Sequence, residues 1–384
     1  MNRCVVCDSE LGEPLYRSPQ PRSITSLCEV LPHGVTVHFC DRCGHLQTEA
    51  MGDLTAYYNQ GYKILIATEE EDQLYASLPN GRPVFRTQHQ VETLLRLAPP
   101  PLGARVLDYG CGKSSTLRVL RESRPDVLPH CFDVSDQYVP FWQRFVSEGN
   151  WAVHTVPAAW HGRFDLVTSF FALEHVASPQ KFMGEVAKLL RPSGMFYCVV
   201  PNTYVNPADF VVADHVNHFS EPSLRALLGR AGFEVVAVDG SAHSSAWVVV
   251  AKQGPTMAER PAPERAAALA LPAREMAAYW TDFSNRVQAF ERQHAHHAKA
   301  AIYGSGFYGT YIASSLVDFD KVTCFLDQNP HRQKQTLLDR KILNPDHLPA
   351  ETSLVYVGLN PRHARPAIAG IARWSTLGHE YFFA

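Results

Sequence analysis

Four cysteines stand near the start of the chain in two matched pairs. "CVVC" carries Cys4 and Cys7, and "CDRC" carries Cys40 and Cys43. A gap of two residues lets a tight turn aim both thiolates at one ion, and two such turns complete a tetrahedron. Zinc accepts four thiolates in closed coordination, so the pattern predicts a structural Zn2+. Paired disulfides are the other use of this spacing. The cysteine count of nine is odd, and the first residues lack the apolar run of a secretory leader. Both observations favour the metal.

A second constellation is "VLDYGCG", which places Asp108 at a strand end and Gly110 and Gly112 in the turn after it. Glycines there let the backbone turn tightly and approach a ligand closely. Asp133 ends the next strand, where a carboxylate can accept both hydroxyls of a ribose. Ser114 stands where a pyrophosphate fingerprint has its third glycine, and no P-loop lysine register is present. A third group is the histidine set. His175 follows a later strand, and "VADHVNHFS" gathers Asp214, His215, Asn217 and His218 in one loop. Imidazole accepts a proton near neutral pH, and a carboxylate beside it fixes its tautomer. A fourth is "YGSGFYG", where Gly304, Gly306 and Gly309 have dinucleotide-binding spacing, with Asp327 at the next strand end. Taken alone, that unit suggests a dinucleotide-dependent oxidoreductase or a nucleotide-binding protein.

The elements that must position these groups are legible as well. Apolar strand-like runs alternate with helix-like segments from about residue 85 onward, which predicts an α/β protein with a mostly parallel sheet covered on both faces. "LTAYYNQGYKILIATEEEDQLY" (54–75) reads as mostly helical, with Tyr58 and Tyr62 available to close over a substrate. Residues 253–298 turn rich in Ala, Pro and Glu and then helical, and a second strand–glycine–helix unit follows. The expected organisation is a zinc module over 1–60, a nucleotide-type α/β domain over 61–255, a helical connector over 256–298 and a second Rossmann-like domain over 299–384. The chain has 384 residues, 46% of them hydrophobic, and a formal net charge of −3 with no strongly basic block. That composition speaks for packed cores and against nucleic acid as a partner. No apolar run reaches membrane-span length, so the expectation is no membrane partner and a cytoplasmic, soluble chain.

"VLDYGCG", "CFDVSD", "FDLVTSFFALEHV" and "LLRPSGMFYCVVPN" follow one another over about residues 103–252. In that order they resemble the motifs of class I S-adenosylmethionine-dependent methyltransferases. The resemblance implies a seven-stranded Rossmann-like domain with S-adenosylmethionine over Gly110 and Gly112. It further implies Asp108 near the methionine amine, Asp133 on the ribose, and Phe170 and Phe171 lining the pocket. The full order of zinc module, methyltransferase and glycine-rich α/β domain is similar to the three-domain bacterial sugar C-methyltransferases. This implies a nucleotide-linked sugar as small-molecule substrate, in natural-product or surface-polysaccharide biosynthesis. In that family a Tyr-x-Glu-His segment carries the base. Here His215 matches its histidine, Asp214 replaces its glutamate and Val212 stands in place of its tyrosine. The roles expected are His215 as base supported by Asp214, and His175 holding the acceptor. Tyr58, Tyr62, Asn217 and His218 are expected to contact the substrate. An O- or N-methyltransferase of the same build is the alternative.

Overall fold

The computed structural model describes residues 3–52, 57–58, 68–77, 82–254, 263–371, 373–374 and 378–384. Two compact units divide the chain, and neither is continuous in sequence. One comprises Met1–Leu15, Thr36–Asp209 and Asp214–Ala273, the other Tyr16–Val35, Phe210–Ala213 and Arg274–Ala384.

In the first unit, β1 (Thr36–Phe39) and β2 (Leu46–Thr48) form an antiparallel pair. They precede α1 (Arg86–Leu97), β3 (Arg105–Tyr109), α2 (Ser115–Ser123), β4 (Leu128–Asp133), β5 (Trp151–Val153) and β6 (Phe164–Phe170). Next come α3 (Pro179–Leu189), β7 (Leu190–Pro201), β8 (Asn217–His218), α4 (Glu221–Arg230), β9 (Phe233–Asp239) and β10 (Ala246–Gln253). The central sheet has seven strands in the order β5–β4–β3–β6–β7–β10–β9. The first five run parallel, and β10 is antiparallel to both its neighbours.

Alternation explains why the strands read as unbroken apolar runs. Val106, Leu166, Tyr197, Val199, Val248 and Val250 pack on one face of the sheet. Their neighbours Leu107, Val167, Cys198, Val200, Val249 and Ala251 pack on the other. Successive side chains point to opposite faces, so a sheet covered on both sides must be apolar at every position. The α/β class and the seven-stranded sheet expected from the sequence are both present. Strand order reverses at β3, with β4 on one side and β6 on the other, which opens a crevice at the carboxyl ends of these strands.

One segment departs from its sequence reading. Leu74–Ser77 is a strand paired with Pro83–Phe85, where helix was expected through residue 75. The carbonyls of Thr68, Glu69 and Glu71 accept from Lys113 Nζ at 2.8, 2.9 and 2.8 Å. Those carbonyls are held by a side chain instead of the amides four residues on that a helix requires.

A long helix, α5 (Pro263–Gln293), follows β10. The second unit contains β11 (Ala300–Tyr303), α6 (Phe307–Ser315), β12 (Val322–Leu326), β13 (Arg340–Leu343), β14 (Leu354–Val357), α7 (Pro361–Ala369) and β15 (Glu380–Phe383). Its parallel strands run in the order β13–β12–β11–β14–β15. Among the described residues, no helix is long and apolar enough to cross a membrane.

Candidate functional site

The cysteine pairs sit on two turns of the same design. Asp8 N–H donates to the Cys4 carbonyl at 2.9 Å, and Gly44 N–H donates to the Cys40 carbonyl at 2.8 Å. Asp8 and Gly44, each just after the second cysteine of its pair, are left-handed at φ 63° and 69°. Aspartate and glycine tolerate that conformation, which curls each C-x2-C segment around a common point. Cys4 Sγ lies 3.7 Å from Cys43 Sγ, and Cys7 Sγ lies 3.5 Å from Cys40 Sγ. All four sulfurs are within 4.8 Å of one another. A disulfide requires a separation near 2.05 Å. A tetrahedron with zinc–sulfur bonds of about 2.3 Å has sulfur–sulfur edges of about 3.8 Å. The spacing fits the ion and not the bond.

The glycine turn joins β3 to α2. Gly110, Gly112 and Ser114 all take left-handed φ values, 72°, 50° and 56°, so every second residue reverses the chain. At Gly110 a Cβ would stand 2.9 Å from Ala172 Cβ, which leaves room for hydrogen alone. Asp108 braces this turn from beneath. Its carboxylate accepts from Ser114 Oγ at 2.7 Å and Thr168 Oγ1 at 3.1 Å. Burial pushes the Asp108 carboxyl up to about 7 against those hydrogen bonds. Trp142 Nε1 donates to the Gly112 carbonyl at 2.7 Å. Asp133, at the end of β4, accepts from Gly112 N–H at 2.8 Å and Ser135 N–H at 3.0 Å. Burial raises its carboxyl as well. Phe170 closes β6, its ring centre 5.8 Å from that of Tyr197. The Arg86 guanidinium covers the Phe171 ring at 4.8 Å.

The histidines gather where β6 ends and the loop before β8 returns. Val216 N–H donates to the Glu174 carbonyl at 2.9 Å and ties the two segments together. Ring centres of His175 and His215 are 4.7 Å apart. Both side chains keep slight exposure, 11% and 12%. His175 Nδ1 lies 3.0 Å from the Asp214 carbonyl and 2.6 Å from Tyr58 Oη. A carbonyl only accepts, so Nδ1 carries the proton and Nε2 keeps its lone pair. His215 Nδ1 lies 2.5 Å from Asp209 Oδ1. The two rings therefore differ in charge. Burial, then the neighbouring His215, pushes His175 down to about 4, against the pull of Asp214. For His215, burial acts downward too, but the hydrogen bond and charge of Asp209 outweigh it and lift the ring to about 9. Near neutral pH, His175 is neutral and His215 is an imidazolium.

Of the residues singled out from the sequence, His175, His215, Asp214 and Tyr58 come together here. Asp214 turns toward His175 and Tyr58, and the carboxylate on His215 is Asp209. Asn217 and His218, each 1% exposed, sit in the wall behind the rings. Asn217 bonds the Val176 carbonyl at 2.7 Å and His45 Nε2 at 3.2 Å. His218 bridges Asp209 Oδ2 at 3.0 Å and Thr48 Oγ1 at 2.8 Å. Tyr62 lies outside the described residues. Sequence reasoning missed Asp209, Lys113 and Glu174. An acid set among apolar neighbours, as in "ADFVVADHV", is the signal that could have found Asp209, because buried carboxylates are almost always paired.

In the second unit, packing accounts for two of the three fingerprint glycines, Gly304 and Gly309, whereas a Cβ on Gly306 would meet nothing within 4 Å. A Cβ on Gly309 would stand 1.9 Å from the Gly304 carbonyl oxygen. Asp327 accepts from Ser305 Oγ at 2.5 Å and from the amides of Ser305 and Asn329 at 3.1 and 2.9 Å. Arg332 donates to the Ser305 carbonyl at 2.5 Å.

A family model described as a methyltransferase domain matches residues 85–238. The chain is 30% identical over 171 residues to the "Ubiquinone biosynthesis O-methyltransferase" of Xanthomonas euvesicatoria pv. vesicatoria, covering 39% of this chain and 69% of that protein. Over 162 residues it is 28% identical to the "Probable S-adenosylmethionine-dependent methyltransferase" of Mycolicibacterium smegmatis, covering 39% and 60%. Over 261 residues it is 28% identical to the "tRNA U34 carboxymethyltransferase" of Syntrophotalea carbinolica, covering 61% and 76%. The chain spans about half to two thirds of the length of several curated relatives it matches.

Proposed function

The chain belongs to the S-adenosylmethionine-dependent methyltransferases, and on that premise we propose that it methylates a small polar acceptor, a nucleotide-linked sugar, using His175 as base. The observation that carries the reading is the pair of imidazoles with ring centres 4.7 Å apart where β6 ends, one with Nδ1 on the Asp214 carbonyl and the other with Nδ1 on the Asp209 carboxylate. Two titratable groups pushed apart in this way suit one to accept a proton and the other to donate a hydrogen bond.

S-adenosylmethionine, when bound, supplies an electrophilic methyl group on a sulfonium, and sulfur keeps the bonding pair as a neutral thioether. The turn Gly110–Ser114 would hold it, with Asp133 toward the ribose and Phe170 and Phe171 along its side. His175 Nε2 takes the proton from the acceptor's carbon or oxygen, and the pair left behind forms the bond to the methyl carbon. The Asp214 carbonyl keeps the His175 ring in the tautomer that carries its proton on Nδ1. His215 donates toward the negative charge that develops on the acceptor, and Asp209 keeps it protonated. This exchanges the roles read from the sequence, where His215 was the base. A neutral imidazole is the better proton acceptor at neutral pH. Asn217 and His218 support the loop from behind. Cys4, Cys7, Cys40 and Cys43 would hold one Zn2+ in a structural role.

Transfer to oxygen is the second reading. The likeness to a ubiquinone biosynthesis O-methyltransferase favours it, and the same two histidines serve it. Methyl-labelled S-adenosylmethionine with a panel of nucleotide sugars and phenols distinguishes the two by NMR of the product. With the true acceptor, His175→Ala lowers turnover about 100- to 10,000-fold and leaves S-adenosylhomocysteine affinity intact. Turnover near wild type in that variant would show that the base lies elsewhere.

A further inference from the structure

One buried donor beside the crevice has no place in the proton transfer described above. His243 stands in the turn between β9 and β10 and is 5% exposed. Ser245 N–H donates to its Nδ1 at 3.2 Å. A ring nitrogen that accepts carries no proton, so the ring is neutral and its proton sits on Nε2. Burial, then the neighbouring His89 and Arg86, pushes this ring down to about 3, in keeping with that state. Nε2 itself is buried and has no hydrogen-bond partner among the described residues. The turn around it is held from several sides. Asp239 accepts from the amides of Ser241 and Ala242 at 2.7 and 3.1 Å. Ser244 N–H donates to Tyr75 Oη at 3.2 Å, and His89 Nε2 donates to the Ala242 carbonyl at 2.9 Å. Asn202 N–H donates to the Ser245 carbonyl at 2.9 Å and ties the turn to the carboxyl end of β7. The His243 ring packs at steep angles on Tyr75, His89 and Phe171, with centres 5.0, 5.5 and 5.8 Å away.

We propose that His243 Nε2–H binds an anionic oxygen, of a carboxylate or a phosphate, on the methyl acceptor, which rests on the reading of the crevice as the acceptor site. A buried N–H without an acceptor is costly, because it gives up water and gains nothing in return. A donor held in that state at the edge of a ligand crevice suits a lone pair that arrives with the ligand. Charge selects the kind of lone pair. The Arg86 guanidinium lies 4.8 Å over the same Phe171 ring that His243 packs against. It stays protonated at any ordinary pH, so a fixed positive charge stands in the same wall. The charges that act on the His243 ring come from Arg86 and, when protonated, His89, and both favour an anion. Position assigns the oxygen to the acceptor. In the sheet β10 is three strands from β3, and Asp133 ends β4 one strand further still. At about 4.8 Å per strand, β10 lies roughly 14 Å from β3. The ribose end of the cofactor is therefore on the far side of the crevice.

Two pairs of probes test this by calorimetry on the full-length protein saturated with S-adenosylhomocysteine. Benzoate and benzamide differ in charge and hardly in shape, and UDP and uridine differ by the diphosphate. Wild type should favour at least one anion over its neutral counterpart about tenfold, and which anion it takes tells carboxylate from phosphate. His243→Asn keeps an oxygen at the place of Nδ1 for Ser245 and deletes Nε2. It should weaken that anion about tenfold and leave the neutral probe unchanged. His243→Gln, whose amide reaches the place of Nε2, should stay within about threefold of wild type. S-adenosylhomocysteine affinity should be the same for all three, which separates the effect from misfolding. If His243→Asn weakens S-adenosylhomocysteine itself, the donor serves the cofactor's carboxylate and the proposal is overturned. If His243→Asn takes the anion as wild type does, or wild type takes both members of each pair alike, while His175→Ala loses them, this inference falls and the acceptor site stands. If wild type takes none of the probes, or no variant changes their binding, both readings fall.

Discussion

Asp209→Asn is the substitution that most directly probes the charge arrangement in this crevice. Asp209 is 2% exposed, and its carboxylate accepts from His215 Nδ1 at 2.5 Å and His218 Nδ1 at 3.0 Å, with Thr203 Oγ1 also in contact. Asparagine keeps the shape and removes the charge. His215 sits at about 9 because the hydrogen bond and charge of Asp209, helped by the charges of Asp214 and Glu174, outweigh burial. Without that charge, burial should carry the ring to or below its ordinary 6.5. The fall corresponds to roughly 3 kcal/mol of lost preference for the imidazolium. Histidine-ring NMR over a pH series reads this directly, and the basic limb of the rate profile should move down with it. The sign of the stability effect follows from linkage. His215 is raised on folding, so its contribution is full below about pH 6.5 and fades as pH rises through about 9. Asp209 is lowered on folding by His218 and His215 despite its burial, so its contribution is full above its ordinary 3.8 and fades as pH falls. The Tm gap between wild type and variant should therefore be widest between about pH 4 and 6.5. A folded Asp209→Asn protein whose His215 still titrates near 9 would refute the argument.

Three further outcomes follow from other parts of the molecule. Cys4→Ser should reduce bound zinc from one ion per chain toward none and lower Tm, while S-adenosylhomocysteine affinity stays within a few-fold, measured by elemental analysis and calorimetry. Full zinc occupancy in that variant would count against the four-thiolate site. Asp133→Ala should weaken S-adenosylhomocysteine about tenfold to a hundredfold, because the carboxylate also fixes the amides of Gly112 and Ser135; unchanged calorimetry removes the assignment. Lys113→Met frees three carbonyls at once, so hydrogen exchange and proteolysis over residues 68–77 should rise sharply. Unaltered protection there would mean that other contacts hold the segment.

Much of this protein is written locally. Two C-x2-C pairs, a strand running into Gly110 and Gly112, and apolar runs with no polar face each encode their own geometry. Spacing fixes the reach of two thiolates on one turn, and left-handed turns need glycine or a small polar residue. A sheet buried on both sides admits no polar alternation. Those features pointed to the α/β class and to the glycine turn after β3, while the count of seven strands came from the resemblance to class I methyltransferases. The partners of the histidines were not written there. Asp214 is the acid next to His215 in sequence, yet its carbonyl meets His175 Nδ1 and its carboxylate accepts from Tyr58 Oη. Asp209 reaches His215 only because the turn Pro207–Val211 brings it round, and His218 meets the same carboxylate from β8. Asn217, one residue earlier, faces the other way toward Val176 and His45. Glu174 looks in sequence like a polar residue at a strand end, and its burial appears only when the loop before β8 folds over it. Which side chains can do chemistry is a property of residue type and spacing. Which of them are charged, paired or left without a partner depends on what the tertiary fold packs against them, because burial and neighbouring charge set protonation.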